Sequence, residues 1–160
     1  MKQTLLALAL AMSFGFSGAA TNPSSTGMSK ADYKSQKERV EADYKASRDQ
    51  CGSLKANAKD ICKAEAKGKR DVAKAELEAK YEPSPKHDAK VAEEKAEADY
   101  KVAKEKCDDL NGDAKSVCRK DAKATFKAAK GQAKATRTSK QANVDSTKAA
   151  GANAAVTNAR

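Results

Sequence analysis

The apolar positions of this chain fall three and four residues apart. Ala89, Ala92, Ala96, Tyr100, Ala103, Cys107 and Leu110 keep that step, and Cys118, Ala122, Thr125, Ala129 and Ala133 continue it with Phe126 alongside. A helix with one apolar stripe has this beat, and the two-residue alternation of a half-buried strand is missing. The residues between the stripes are mostly Ala, Lys and Glu, which are strong helix formers. Glu41/Lys45, Glu65/Lys69, Glu76/Lys80 and Glu97/Lys101 stand four apart in the favourable order.

The interruptions are equally specific. Glu82-Pro83-Ser84-Pro85 stops one helix and starts another, with Ser84 as cap and Pro85 at the first helical position. Asn111-Gly112 is a turn signal, and Asn57 and Asp113 are aligned N-cap candidates. Four helices are predicted, over about 29–53, 57–81, 85–109 and 113–138. The fold class is all-α: two tandem antiparallel helical hairpins, 29–82 and 83–138, arranged as a bundle or a kinked rod.

The two hairpins are copies. Residues 41–67 align with 97–123 at an offset of 56 and without a gap, pairing EADYK with EADYK, Cys51 with Cys107, Leu54 with Leu110 and Cys62 with Cys118. A shorter period runs inside: ADYK at 31 returns at 42, KAE at 63 returns at 74, and AKAT at 122 returns at 133, each time after eleven residues. Eleven residues make three helical turns, so the repeated side chains keep one face with a slight right-handed drift.

Cys51, Cys62, Cys107 and Cys118 are the only cysteines, in two pairs with ten residues inside each. In one unbroken helix the members of a pair would stand about 16.5 Å apart, whereas a disulfide needs Cα atoms within roughly 7 Å. Across a hairpin turn each pair faces itself, and each bridge would contribute on the order of 3 kcal/mol. The rival pattern keeps each unit as one continuous helix and joins Cys51 to Cys118 and Cys62 to Cys107. The turn chemistry at 111–113 argues against it. A metal site fits less well, because close C-x-x-C pairs are missing and His87 is the only histidine. A redox-active pair also lacks the close spacing that lowers a thiol pKa.

The chain opens MKQTLLALALAMSFGFSGAA, a lysine followed by an apolar run and small residues. This predicts a secretory leader over 1–20, cleaved near Ala20, and hence a periplasmic protein in an oxidising compartment. The apolar run falls short of the roughly 20 residues of a spanning helix, and no transmembrane segment is expected in the mature chain.

The net charge of +10 becomes +9 once Lys2 leaves with the leader. Its distribution is uneven. Residues 127–160 hold seven Lys/Arg against Asp145 alone, a net of +6, while 21–126 carry only +3. Segments 21–28 and 139–160, rich in Ser, Thr, Asn and Gly, are expected to be disordered. Lys127, Lys130, Lys134, Arg137 and Lys140 are therefore the candidate polyanion-binding residues.

No catalytic set can be assembled. One histidine beside a prolyl turn has no matched nucleophile, and the many carboxylates alternate with lysines on solvated faces. Tyr44 and Tyr100, each seven residues before a cysteine, read as seam-filling side chains. No cofactor is implied, and an enzyme is not expected.

EADYKVAKEKCDDLNGDAKSVCRKDAK together with AKAELEAKYEPSPK resembles a group of exported, lysine- and alanine-rich proteobacterial proteins with paired C-x10-C motifs. Some of these are likened to the cell-envelope protein TolA. The eleven-residue Ala/Lys/Glu repeats are also similar in composition to late-embryogenesis-abundant and other desiccation-stress proteins. The resemblance and the basic tail lead to an envelope-associated structural or interaction role, with anionic envelope polymers or lipid head groups as partners. The alternative is a stress-protective chaperone that shields unfolded client proteins. Nucleic acid would attract the tail electrostatically, but export argues against a chromosomal role.

Overall fold

The computed structural model describes residues 27–157, so the leader expected over 1–20 lies outside the described residues. Four helices follow one another: α1 Lys30–Gln50, α2 Ala56–Tyr81, α3 Pro85–Cys107 and α4 Gly112–Thr157, with a short 3-10 turn at Cys51–Ser53. Among the described residues no helix is long and apolar enough to cross a membrane.

Local chemistry places most of these ends. Ser29 Oγ accepts from the Asp32 N–H at 3.0 Å, and Ser84 Oγ accepts from the His87 N–H at 3.2 Å with Pro85 opening α3. His87 Nδ1 lies 2.5 Å from the Glu82 carbonyl, so its ring also closes this turn.

Asn57 and Asp113 do not act as caps. α2 begins at Ala56 and α4 at Gly112, and both residues have positive φ, 48° and 54°. One turn geometry has been duplicated, with glycine where it is comfortable in one copy and alanine in the other. Asn57 instead reaches across to α3, where its Nδ2 donates to the Glu105 carbonyl at 2.6 Å.

The arrangement of the helices is a single open layer. α1 packs on α2, α2 on α3 and α3 on α4, and no other helix pair is in contact among the described residues. The two hairpins therefore do pack together, through α2 and α3, but they do not close into a four-helix bundle. Both cysteine turns lie at one end of the layer and the Glu82–Ser84 turn at the other.

Cross-links between neighbours run like rungs. Between α1 and α2 they are the Tyr33/Tyr81 stack at 4.5 Å, the Glu41–Lys74 ion pair at 2.7 Å, Arg70 over the Tyr44 ring at 4.3 Å and the Cys51–Cys62 disulfide. Between α3 and α4 they are Asp88–Lys140 at 2.7 Å, the Tyr100/Phe126 stack at 4.9 Å and Cys107–Cys118. The Cα atoms of the two disulfides are 5.6 and 5.7 Å apart, within the bridging range, so the hairpin pairing holds and the crossed pairing does not occur.

The core is thin. Its buried hydrophobic side chains are Cys51, Ala66, Ala75, Leu77, Ala89, Ala96, Cys107 and Ala133. Small residues let the helices approach closely, and at Gly68 the approach leaves no room for a side chain: a Cβ there would meet Ala98 Cβ at 2.7 Å.

α4 continues past 138, the boundary at which loss of periodicity places the disordered segment 139–160. Hydroxyls that read as loop formers bond back to the helix: Thr138 to the Lys134 carbonyl at 3.1 Å, Ser139 to Ala135 at 3.1 Å and Ser146 to Ala142 at 2.8 Å. Residues 141–150 are all exposed. That part of the helix has only its own backbone and propensity to hold it, a marginal condition in water.

Two substitutions separate helix propensity from packing. Gly68→Ala gains about 1 kcal/mol of propensity but overpacks the α2/α3 crossing by about 1–3 kcal/mol, so it is expected to lower the melting temperature. Gly131→Ala, with nothing within 4 Å of its Cβ, is expected to raise it. The duplicated turn supplies a second pair. Gly112→Ala is expected to cost about 1 kcal/mol, and Ala56→Gly to recover a part of such a cost in the first hairpin, both read from urea unfolding of the oxidised protein.

Candidate polyanion-binding ridge

α4 meets α3 along Cys118, Ala122, Phe126, Ala129 and Ala133, so the rest of its circumference faces away from the layer. Counting about 100° per residue from Ala133, the side chains of Arg119, Lys123, Lys127, Lys130, Lys134, Arg137 and Lys148 fall on one flank within an arc of about 80°. All seven are exposed. The repeat is visible in them: Arg119 and Lys130, Lys123 and Lys134, and Arg137 and Lys148 are eleven apart. Asp145, held by Gln141 Nε2 at 3.0 Å, is the one carboxylate on the same flank between Lys123 and Lys148.

Of the five residues singled out from the sequence, Lys127, Lys130, Lys134 and Arg137 lie together on this ridge. Lys140 does not: it turns into the α3/α4 seam and pairs with Asp88. Lys123 and Arg119 extend the ridge toward the turn. The sequence reading passes over them because they precede the composition change at 127, although the eleven-residue period already ties them to Lys134 and Lys130.

Electrostatics within the ridge are graded. Arg119 is tied to Asp108 at 2.5 Å, and Lys115 reaches the same carboxylate at 3.0 Å. Lys130 sits over the Phe126 ring, 5.4 Å from its centroid, and its charge helps to hold Glu97 below the usual carboxylate range. The larger influence on Glu97 is the hydrogen bond from Lys101. Lys123, Lys127, Lys134 and Arg137 make no ion pair among the described residues.

The consequence is collective. From Lys123 to Arg137 the ridge is about 21 Å long, with successive cations roughly 4.5–6 Å apart along the axis. That is less than the Debye length of about 8 Å at physiological ionic strength, so their potentials add before salt screens them. The same residues on a flexible tail would share charge without sharing a direction.

The four cysteine sulfurs are all consumed in the two disulfides and lie at the turn end of the layer, apart from the ridge. No family model, curated protein or solved structure matches this chain.

Asp108 ties the ridge helix to the end of α3 and gives it a pH response. The Lys115 hydrogen bond lowers the Asp108 pKa, opposed by partial desolvation and reinforced by Arg119. A carboxylate whose folded pKa lies below its unfolded value stabilises the fold above the unfolded pKa and loses that contribution as pH falls through the folded one. Thermal melts should therefore show stability falling as pH drops below the normal carboxylate range. Asp108→Asn is expected to flatten that slope without opening the Cys107–Cys118 loop, as a thiol titration would verify.

Proposed function

We propose that this protein is a non-enzymatic, exported helical scaffold of the cell envelope. It binds anionic surfaces, either envelope polymers or lipid head groups, through the basic flank of α4. The observation that carries this reading is the alignment of Lys123, Lys127, Lys130, Lys134 and Arg137 on one exposed flank, while the body of the chain is close to charge balance. The flank offers no apolar side chain to insert between acyl chains, so the association is electrostatic and peripheral. The leader-like N-terminus and two disulfides fit an oxidising, exported setting.

A rigid ridge suits this task better than a scattered charge. Its cations are ordered by the helix before binding, so little conformational entropy is lost on contact. The Cys107–Cys118 staple and the α3 seam hold this stretch of the helix, and the ridge runs alongside that seam.

Protein carrying Lys123→Gln, Lys127→Gln, Lys130→Gln, Lys134→Gln and Arg137→Gln together tests the proposal. Glutamine keeps helix propensity close to that of lysine and arginine, so circular dichroism should be unchanged. Each cation near an anionic surface contributes about 1 kcal/mol. Sedimentation with purified peptidoglycan, and separately with vesicles containing anionic lipid, should show binding weakened by about a hundredfold or more at physiological salt. Equal binding by the variant and the parent protein would remove the ridge from the function and turn attention to client protection.

A further inference from the structure

The opposite face of the layer carries a different surface. Between α2 and α3 runs an open groove floored by Gly68, Val72, Ala98 and Val102 and edged by Lys69, Lys95 and Asp99. Its valines are only half-buried, and its charged edges are exposed. A layer one helix thick covers side chains along its seams and leaves this floor to solvent, whereas folded domains close such faces with a second layer.

Lys95 and Asp99 also line the α3/α4 groove with Gln132 and Thr136. On α4, Gln132 and Thr136 lie to one side of Ala133, and Lys123, Lys130 and Lys134 lie to the other. The α2/α3 groove and the ridge cations Lys123, Lys130 and Lys134 therefore lie on opposite faces of the layer, with Arg137 at the boundary beside the α3/α4 groove. Most ridge cations are thereby turned away from the α2/α3 groove, which itself holds Lys69, Lys95 and Lys106 beside Glu65 and Asp99.

We infer that the α2/α3 groove is the interface of a two-fold symmetric dimer, its occupant a second copy of this chain. The charge pattern makes the case. Lys95 and Asp99 are of opposite sign one turn apart on the same edge of α3. A two-fold axis across the helices reverses their order in the second copy and sets Lys95 against Asp99 twice. Asp99 forms no ion pair within the chain among the described residues, while Lys95 shares Glu76 at 2.8 Å. Val72 and Val102 of each copy then cover the floor beside the Gly68/Ala98 contact. The resulting dimer is two layers thick and carries one basic ridge on each outer face.

The test uses oxidised protein expressed from the full chain, with mass measured by sedimentation equilibrium up to millimolar concentration at physiological salt. A dimer is expected, and a monomer throughout would overturn the inference. Asp99→Lys places like charges face to face and should weaken dimerisation by about tenfold or more. Adding Lys95→Asp swaps the pattern and should restore it, since the reversed pair is again self-complementary. An Asp99→Lys protein that dimerises unchanged, or a double variant that stays monomeric with parental circular dichroism, would each refute this interface. The five-glutamine ridge variant is expected to dimerise like the parent, which keeps this result separate from that of surface binding.

Discussion

The structure depends on two short covalent loops at one end of a thin helical layer. An alanine seam buries little area, and at about 25 cal/mol per Å2 the interior contributes modestly, with Leu77 its one large aliphatic side chain. The outer helices are most exposed to this deficit. Among the described residues α1 packs on α2 and the 3-10 turn and α4 on α3 alone, so each has a single helix seam to oppose the entropy of detaching. Closing each cysteine pair removes part of that entropy from the unfolded chain, on the order of 3 kcal/mol per loop. Cys51 and Cys107 are also fully buried, which makes the staples part of the packing as well as a restraint on it.

With the turns fixed, the duplicated hairpins could diverge along their seams. Tyr44 and Tyr100 occupy equivalent positions, yet the first lies under Arg70 and the second against Phe126. Arg70 and Phe126 are themselves equivalent at the repeat offset. One rung has thus been built as a cation over a ring and the other as stacked rings, each filling the same gap with a flat side chain. Leu77 and Ala133 show the same tolerance: equivalent, both buried, and different in size. In the first hairpin Arg70 also donates to Asp71 at 2.7 Å. Burial pushes the Asp71 carboxyl up, and the hydrogen bonds from Lys67 and Arg70 more than offset it, leaving the group below its ordinary range.

Much of this was legible because it is encoded locally. The cap at Ser84, Pro85 at a helix start, the turn at Asn111-Gly112 and the pairing of cysteines across turns all follow from residues within a few positions of one another. Features set by a neighbouring helix were not legible. Asn57 has the chemistry of a cap, but the Glu105 carbonyl lies within its reach at 2.6 Å and takes its amide. Nothing in the local sequence marks Gly68 as the point where α2 meets Ala98. Period and composition also gave conflicting signals on α4: the eleven-residue spacing of cations reaches back to Arg119, while the compositional change begins at 127. Lys140 looked like one more member of a basic run until the seam supplied Asp88. A layer and a bundle have the same hydrophobic stripe at this width, so the choice between them rests on which faces meet, and that lies outside any single helix pattern.

The open layer also explains how a basic helix can belong to a nearly neutral body. In a closed bundle α4 would face two neighbours, and its lysines would need carboxylate partners on both sides or would be confined to a narrow outer strip. In the layer only one stripe is covered, and that stripe is Ala, Phe and Cys with Asp88 and Asp108 at its margins. The remaining circumference can hold cations without desolvating them, at little cost to folding because exposed charges are screened and hydrated. Their mutual repulsion is borne by a helix whose near end is held covalently by Cys107–Cys118 and by the Tyr100/Phe126 stack. Concentrating positive charge on one flank is thus permitted by the same thinness that makes the staples necessary.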